Sequence, residues 1–344
     1  MLEYGWNSTA YQILNPGFEL WFGERAYAVV GYVTRVGVRV VAGAPVCRPE
    51  ELGRAVRDFE ANAQEWGERV CWFGAEVRLE ELLRARGDLA MVPLGAQPVW
   101  NPGEWRERVG ALASVRAQLN RSRNKGVTVT EWPAVPGQTD PDLRACLQEW
   151  LSQRGLPPLH FLVESSTLDR LADRRLFVAE RAARVMGFVV ASPVPARGGW
   201  LLEQVVRRPG APNGTAELMI DTAVSELAES GATYLTLGLV PLSSHVAYNQ
   251  PWWLRTLLLW ARAHGRRFYD FQGLEFFKSK FRPPVWEPIF AIGPGPRASP
   301  RTIYAVAAAF SHGPLPVMLA RALLDAAGQE AAGLLRRARR RPGS

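Results

Sequence analysis

Residues 200–237 decide the fold, and their sequence is WLLEQVVRRPGAPNGTAELMIDTAVSELAESGATYLTL. Residues 200–206 are largely apolar and predict a strand. Residues 215–229 predict a helix, because Gly231 follows at a position where helices commonly end. Residues 234–237 predict the next strand. A strand, a turn, a helix and a second strand in this order indicate an α+β fold.

The first half of the chain has the same order of elements. Residues 27–32 and 36–41 predict a hairpin, a helix begins at Pro49, and residues 70–73 predict a strand. In the second half, a hairpin over residues 175–191 precedes the decisive stretch. We therefore predict two tandem copies of one unit, with mixed, mostly antiparallel sheets and helices on their faces. This order looks like the acetyltransferase (GNAT) fold.

Proline and glycine are frequent at residues 133–137, which indicates a domain boundary. The predicted domains are an N-terminal GNAT-like domain (residues 1–135), a C-terminal GNAT-like catalytic domain (136–295) and a helical segment with a basic tail (296–344). A basic helix is predicted over residues 109–125, at the end of the first domain.

The composition favours a polyanionic partner. The chain of 344 residues carries a net charge of +8 and has a sequence pI of about 9.8. Nucleic acid or an anionic membrane surface would suit that charge, although a GC-rich genome also produces many arginines. Three scattered cysteines do not form a disulfide framework. No signal peptide is evident at the N-terminus, so the expected location is the cytoplasm.

The C-terminal segment is a candidate for peripheral membrane attachment. Residues 302–320 carry no Lys, Arg, Asp or Glu, but the sequence SHGP at 311–314 interrupts them. This stretch is too short to span a bilayer. An arginine-rich tail over residues 336–341 follows it. Contact of residues 302–324 with anionic lipid on the inner face of the cell membrane is one interpretation. A packed terminal helix with a solvated tail is the other.

Two adjacent segments of the second half carry candidate site residues. Alternation along the strand places Glu203, Val205 and Arg207 on one face, where an acid and a base are costly to bury unless they are paired or used. An edge-strand ion pair would also explain them. In the turn that follows, Asn213 or Thr215 is expected to cap the helix, whose free N–H groups would receive an anion.

The third segment is FQGLEFFKSKFRPPVWEP, residues 271–288. Two lysines stand among four phenylalanines, which suggests cations at the edge of an apolar pocket. Read as a helix, the segment places Lys278 near the apolar face and Lys280 to one side. Lysines whose stems pack while their ammonium groups stay in water would give the same pattern.

Several familiar chemistries lack their motifs. The sequence has no Gly-x-Ser-x-Gly elbow, no phosphate-binding loop that ends in Gly-Lys-Ser/Thr, and no His-Glu-x-x-His. Its four histidines lie far apart in the sequence, so no metal site is expected.

Together these segments resemble the cytoplasmic C-terminal catalytic domain of lysylphosphatidylglycerol synthases, also called multiple peptide resistance factors. The resemblance covers most of the chain: residues 43–45, 94–96, the helix around Arg116 and Asn120, and residues 203–207, 211–217, 237–243 and 271–288. It implies two tandem GNAT-like folds and the transfer of an amino acid from aminoacyl-tRNA to a hydroxyl of phosphatidylglycerol. These synthases also carry a membrane-spanning N-terminal part, which this sequence lacks, so a stand-alone member is expected.

The resemblance also implies roles for individual residues. The synthases carry an acid and, three positions later, an arginine; here Glu203 is the acid, position 206 is Val, and Arg207 is the nearest arginine. The catalytic candidates are Glu203, Arg207 and Lys280, with Lys278 in reserve for Lys280. The substrate-binding candidates are Asn213, Glu217, Gly238, Ser243, Gln272 and Lys278. The candidate tRNA contacts are Arg116, Arg121, Arg123 and Lys125, which would otherwise form a solvated basic face.

The expected partners are aminoacyl-tRNA and an anionic phospholipid or membrane surface. Because aminoacyl-tRNA is an activated ester, no cofactor or metal is expected. Three alternatives remain open. An acetyl-CoA-dependent N-acyltransferase is disfavoured by Pro212, which lacks an N–H to face a pyrophosphate. A Fem-like transfer to a peptide or protein amine is the second. The third is a non-catalytic protein that binds RNA or membrane.

Overall fold

The computed structural model describes residues 1–24, 27–134, 139–153, 161–163, 167–246, 271–295, 297 and 299–310. In this part of the chain, twelve strands form one mixed sheet. The strands are β1 (Glu19–Gly23), β2 (Ala28–Arg35), β3 (Val38–Ala42), β4 (Arg69–Ala75), β5 (Leu89–Trp100), β6 (Thr128–Trp132), β7 (Arg175–Arg181), β8 (Arg184–Val194), β9 (Gly199–Arg207), β10 (Tyr234–Thr236), β11 (Val240–Pro241) and β12 (Val285–Pro294). Their order is β1-β2-β3-β4-β12-β5-β10-β9-β8-β7-β6, and β11 pairs with β5.

Helices cover the faces of this sheet. Those described are α1 (Leu52–Glu65), α2 (Val77–Arg84), α3 (Trp105–Ala111), α4 (Ala113–Asn124), α5 (Pro141–Ser152), α6 (Thr215–Glu229), α7 (Phe271–Ser279) and α8 (Pro300–Ala309). The amphipathic pattern of α1 is typical: Leu52, Val56, Phe59 and Ala63 recur every three to four residues and all are buried. They form one core with β4, whose Trp72 packs against Phe59.

The predicted repeat is confirmed by the strand pairing. In the first half, α1 connects β3 to β4, which pair in parallel. In the second half, α6 connects β9 to β10, and this pair is also parallel. Each crossover follows antiparallel strands, β1-β2-β3 in one half and β6-β7-β8-β9 in the other. The α+β class with two acetyltransferase-like units and mostly antiparallel pairing is therefore correct.

Strand β12 joins the two units into one sheet. It follows the lysine-bearing segment, and it inserts between β4 and β5, antiparallel to both. On its other edge β5 pairs with β10 of the second unit. We did not predict β12, because residues 285–294 lack clear alternation and contain two prolines. Its position depends on hydrogen bonds with strands that lie almost 200 residues earlier in the sequence.

The predicted domain limits stay a prediction. Elements on the two sides of residue 135 pack against each other. Helices α3 and α4 lie before residue 135 but share a hydrophobic core with α6 of the second unit. Strand β6, also before residue 135, pairs with β7. The predicted basic helix over 109–125 is wrong as a single helix. It is divided at Leu112, whose backbone (φ −99°, ψ 90°) is not helical and whose side chain is buried in that core.

A buried polar network also connects the units. The Arg197 guanidinium donates to Glu287 on β12 and to Glu76, which precedes α2. Gln97 on β5 donates to Glu287 and to the Tyr234 hydroxyl on β10. Burial raises the pKa of Glu76 to about 7. Because these groups come from both units, they fix the relative position of the two walls of the cavity described next.

Part of the C-terminal prediction lies outside the described residues. That part comprises residues 311–324, the interruption at 311–314 and the basic tail over 336–341. Within the described residues, α8 packs on β2 and β3 through Ala305 and Ala309. None of the described helices combines the length and apolar character that a bilayer crossing requires.

Candidate active site

A large cavity of about 1220 Å³ lies between the two units. Its walls are mostly apolar, with polar groups from both units. Its lining includes Ser8, Thr9, Gln12, Phe73, Leu94 and Gln97 from the first unit, Gln118 and Arg121 from α4, and Leu202, Glu203, Gln204, Val205, Arg207, Asn213, Glu217, Gly238, Leu239 and Lys278 from the second. A space of this size and composition is typical of a site for a mainly apolar ligand with a polar reacting group.

A β-bulge in β9 places Glu203 at the cavity. Val190 of β8 pairs with Gln204, and Ala191 pairs with Leu202, so Glu203 is the extra residue. A bulge interrupts the alternation of side chains along a strand. Glu203, Val205 and Arg207 all line the cavity as the alternation predicted, but so do Leu202 and Gln204. The sequence carries no signal for the bulge.

The Glu203 carboxylate forms a buried ion pair with Arg174. Arg174 Nη2 lies 3.1 Å from Glu203 Oε1, and the two side chains are only 1% and 5% exposed. The Ser192 hydroxyl donates to the same carboxylate oxygen, and Arg174 Nε donates to that hydroxyl. Arg174 also donates to Asn15 and lies over the Tyr11 ring. The carboxylate therefore keeps Oε2 for a further donor.

Sequence reasoning missed Arg174. It is adjacent to Arg175, and the two arginines are equivalent in the sequence, at the start of an apolar strand. In the structure Arg175 pairs with Glu131 on β6 at the surface, whereas Arg174 is buried beside Glu203. Arg174 directly precedes β7 and Arg175 begins it; because neighbouring residues of an extended segment point to opposite sides, this was the only available signal that the two differ.

The two predicted lysines have different surroundings. Lys280 Nζ lies 2.6 Å from Glu217 Oε1, and this ion pair lies at the first turn of α6. Lys280 is not among the described lining residues, but Glu217 is. Lys278 is buried and lines the cavity. The structure therefore brings Lys278, the residue held in reserve, to the site, while the roles of both lysines stay predictions.

The start of α6 lies at the cavity, but not with the cap that we predicted. The N-cap is Gly214, at φ +94°, and no side chain caps the helix. Thr215 Oγ1 donates instead to the Pro212 carbonyl, and Asn213 is exposed and lines the cavity. The N–H groups of Ala216 and Glu217 have no acceptor within the helix. This end of α6 therefore offers backbone donors and the Asn213 amide to a ligand.

The remaining substrate-binding candidates separate into two groups. Gly238 lines the cavity. Ser243 and Gln272 are not among its described lining residues: the Ser243 hydroxyl donates to Glu275 on α7, and Gln272 lies in the first turn of that helix.

The basic helix contributes one arginine to the cavity. Arg121 on α4 is exposed and lines it, together with the half-buried Arg207. Arg123 pairs with Asp221 on α6, and Arg116 donates to the Gly110 carbonyl; both line a smaller surface pocket. Lys125 is exposed at the end of α4. Three arginines line the cavity: Arg208 pairs with Asp142, whereas neither Arg121 nor Arg207 forms a hydrogen bond or ion pair with another described residue.

The described residues do not include a group of three or more His, Cys, Asp or Glu side chains arranged to hold a metal. The charged side chains that line the cavity are the basic Arg121, Arg207, Arg208 and Lys278 and the acidic Glu203 and Glu217. This arrangement can orient a polar substrate and stabilise charge that develops in a reaction.

The protein has a two-unit α+β fold of the acetyltransferase-like class, with an acid, arginines and the start of a helix around one cavity. A family model described as "Phosphatidylglycerol lysyltransferase, C-terminal" matches residues 1–293, and the chain belongs to this family.

Among curated relatives, the lysylphosphatidylglycerol biosynthesis bifunctional protein LysX of Mycobacterium sp. (strain JLS) is 27% identical over 305 residues. That match covers 81% of this chain but only 26% of LysX, so the chain spans about a quarter of the relative's length.

Two solved structures show the same fold. One is the C-terminal domain of a protein described as a lysylphosphatidylglycerol synthetase from Agrobacterium fabrum, with a TM-score of 0.76, 21% identity and coverage of 90% of this chain and 94% of that one. The other is L-PGS from Bacillus licheniformis, with a TM-score of 0.75, 19% identity and coverage of 89% and 92%.

Proposed function

We propose that this chain transfers an aminoacyl group from aminoacyl-tRNA to a hydroxyl of a phosphatidylglycerol-like phospholipid. The observation that carries the proposal is the cavity itself, which is mostly apolar and is lined by Glu203, Arg121 and Arg207. An apolar cavity suits the lipid, and the arginines suit phosphodiesters on either substrate. The family to which the chain belongs supports the same chemistry.

The reaction is a transesterification. The acceptor hydroxyl oxygen attacks the ester carbonyl carbon of the aminoacyl-tRNA, and the bond to the terminal ribose oxygen breaks. The proton of the acceptor hydroxyl passes to the ribose oxygen, so no oxidant, nucleotide or metal is consumed. The site has to align the two substrates, assist this proton transfer and stabilise the oxyanion.

The described residues supply groups for each task. Glu203 Oε2 accepts from the ammonium group of the aminoacyl moiety, and the Arg174–Glu203 pair holds that carboxylate in place. Arg207 and Arg121 contact phosphate oxygens. Asn213 and the first N–H groups of α6 donate to the oxyanion or to a phosphate. Lys280 forms an ion pair with Glu217 at the start of α6, and its direct role in the transfer stays a prediction. The protein acts in the cytoplasm, on the inner face of the membrane.

A transfer assay tests the function. The protein is incubated with tRNA charged with labelled amino acids and with phosphatidylglycerol vesicles, and the lipid is then extracted. We expect label in the lipid, and we expect none after ribonuclease treatment or with vesicles of phosphatidylethanolamine, which lacks the glycerol headgroup. If every charged tRNA keeps its label, or if free amino acid labels the lipid equally well, the proposal is wrong. Acetyl transfer from acetyl-CoA to an amine would favour the alternative enzyme class.

Arg121 tests the contact with tRNA. Arg121→Gln is expected to raise the KM for aminoacyl-tRNA, and to reduce the slope of log affinity against log salt by about 1, because one phosphate contact is lost. The matched control is Arg57→Gln, which removes the same charge from an exposed position on α1 away from the cavity. Equal effects of both variants on KM and on the salt slope would show that only net charge matters and would exclude a specific contact.

A further inference from the structure

One wall of the cavity is an irregular segment that crosses between the two units. Residues 237–239 follow β10 of the second unit, and β11 then pairs with β5 of the first. Most of the residues from 237 to 242 line the cavity. The backbone here is unusual, since Gly238 has φ +73° and Leu242, which is not a glycine, has φ +54°. A side chain in this left-handed region is strained and persists only where its surroundings hold it.

The fit of this segment against β5 is tight. The Leu242 N–H donates to the Leu94 carbonyl at 2.7 Å. A Cβ atom added at Gly95 would lie 2.0 Å from the Val240 carbonyl oxygen, so the two backbones approach closely. Small displacements of the segment would therefore change the shape of the cavity wall.

The ammonium group of Lys278 holds the other end of the segment. Its Nζ donates to three successive carbonyl oxygens, those of Leu237 at 2.6 Å, Gly238 at 2.9 Å and Leu239 at 3.1 Å. An ammonium group has three N–H donors, so all three are used. The Lys278 side chain is buried, and it comes from α7, a helix that follows the segment in the sequence.

We propose that Lys278 is a positioning residue, which orders the cavity wall over residues 237–242 by binding its backbone carbonyls and does not bind substrate directly. The assignment rests on geometry, because a lysine whose three donors already bind the protein has none left for a phosphate or an oxyanion. It concerns the site of the proposed function, but the contact with the wall does not depend on which reaction occurs there.

The protonation state of Lys278 provides a second measurement. Burial lowers the pKa of Lys278 from 10.5 to about 7. Desolvation is the cause of this shift. Charged groups on or beside α7 are Glu275, which binds Ser243 and lies 3.9 Å from His245, and the Lys280–Glu217 pair. Glu203 and Arg207 line the same cavity as Lys278. As pH rises through 7, the ammonium group loses a proton and one of its three donors. The segment should then become less ordered.

The effect on global stability has the opposite sign. The unfolded lysine keeps its proton up to about pH 10.4, so between pH 7 and that value the unfolded state binds more protons than the folded state. This group therefore makes unfolding less favourable as pH rises. Faster exchange confined to residues 237–242 would consequently not be a result of global destabilisation by Lys278.

Amide hydrogen exchange of the full chain tests the proposal. In Lys278→Met, peptides that cover residues 237–242 should exchange about tenfold faster, since buried carbonyls lose their donors, while β7 and β8 stay protected. The matched control is Lys280→Met, which should leave the segment unchanged. In the wild type, the protection factor of the segment should fall between about pH 6 and about pH 8.5, and it should fall equally in a His245→Gln variant.

The outcomes separate the possibilities. Unchanged protection in Lys278→Met, or an equal loss in Lys280→Met, would overturn the proposal. If Lys278→Met does not fold, a pH-independent protection factor in the wild type would overturn it as well. In the transfer assay, a positioning role lowers kcat, whereas a phosphate-binding role raises the KM for phosphatidylglycerol vesicles and leaves exchange unchanged. A wild-type protein without transfer activity would contradict the proposed function, but the exchange result would still stand.

Discussion

Replacing Glu203 with glutamine is expected to lower the rate of aminoacyl transfer by about 100-fold or more, because a charged group aimed at the reacting substrate is lost. The glutamine has nearly the same shape and keeps a carbonyl oxygen for Arg174 and Ser192, so the fold should persist. Glu203→Ala should lose activity and also about 3–5 kcal/mol of stability, because it leaves the buried Arg174 without its partner. Transfer kinetics and urea unfolding measure the two effects separately.

The ion pair of the neighbouring arginine, Arg175, provides the control for this experiment. Glu131 pairs with Arg175 at the surface, where it is 37% exposed. Glu131→Gln therefore removes the same charge from the adjacent strand pair, and its effect on stability should stay below about 1 kcal/mol, as is usual for exposed ion pairs. Full activity of Glu203→Gln would restrict Glu203 to a structural role. A similar loss of activity in Glu131→Gln would point to an unspecific electrostatic effect.

Gly214→Ala should be the most destabilising single-methyl change at the cavity, by about 3 kcal/mol or more. Gly214 has φ +94°, and a Cβ atom there would lie 2.0 Å from the backbone oxygen of Gln118 on α4. Because that neighbour is backbone and not a flexible side chain, α4 and α6 would have to separate. Since Gln118 and Asn213 both line the cavity, its entrance would change as well.

Gly210→Ala in the same turn is the matched control. Gly210 has no heavy atom within 4 Å of an added Cβ, and its φ is not positive. The change should alter the free energy of unfolding by less than about 0.5 kcal/mol, as at most surface positions. Urea unfolding of both variants gives the comparison. If the two alanines differ by less than the error of the measurement, the close contact between α4 and α6 is not as described.

The sequence predicted the repeated unit because its signals are local. The apolar period of α1, the glycine after α6 and the valine-rich strands each act within one element. Alternation along β9 and the turn before α6 pointed to Glu203, Arg207 and Asn213, whereas Gly238 came only from the family resemblance; all four line the cavity. The predicted side-chain cap of α6 was wrong. The N-cap position is Gly214, because only a glycine there allows the backbone of α4 to approach so closely.

Other features depend on contacts between distant residues. Arg174 and Arg175 are neighbours in the sequence, yet only pairing with β6 and packing against residues 11–15 determine which one is buried. In the same way, Lys278 and Lys280 have different partners. Lys278 reaches the carbonyls of residues 237–239, and Lys280 reaches Glu217 on α6. No periodicity within either segment carries this information.

The sequence by itself determined the class of fold, the presence of two units and the set of residue types available for acyl transfer, since these follow from short-range periodicity and composition. Only the tertiary structure decided how the units share one sheet through β12, where the bulge in β9 directs Glu203, and which lysine reaches the cavity. The physical reason is that burial and backbone hydrogen bonding are satisfied by partners far apart in the chain, and such partners exist only once the units have packed together.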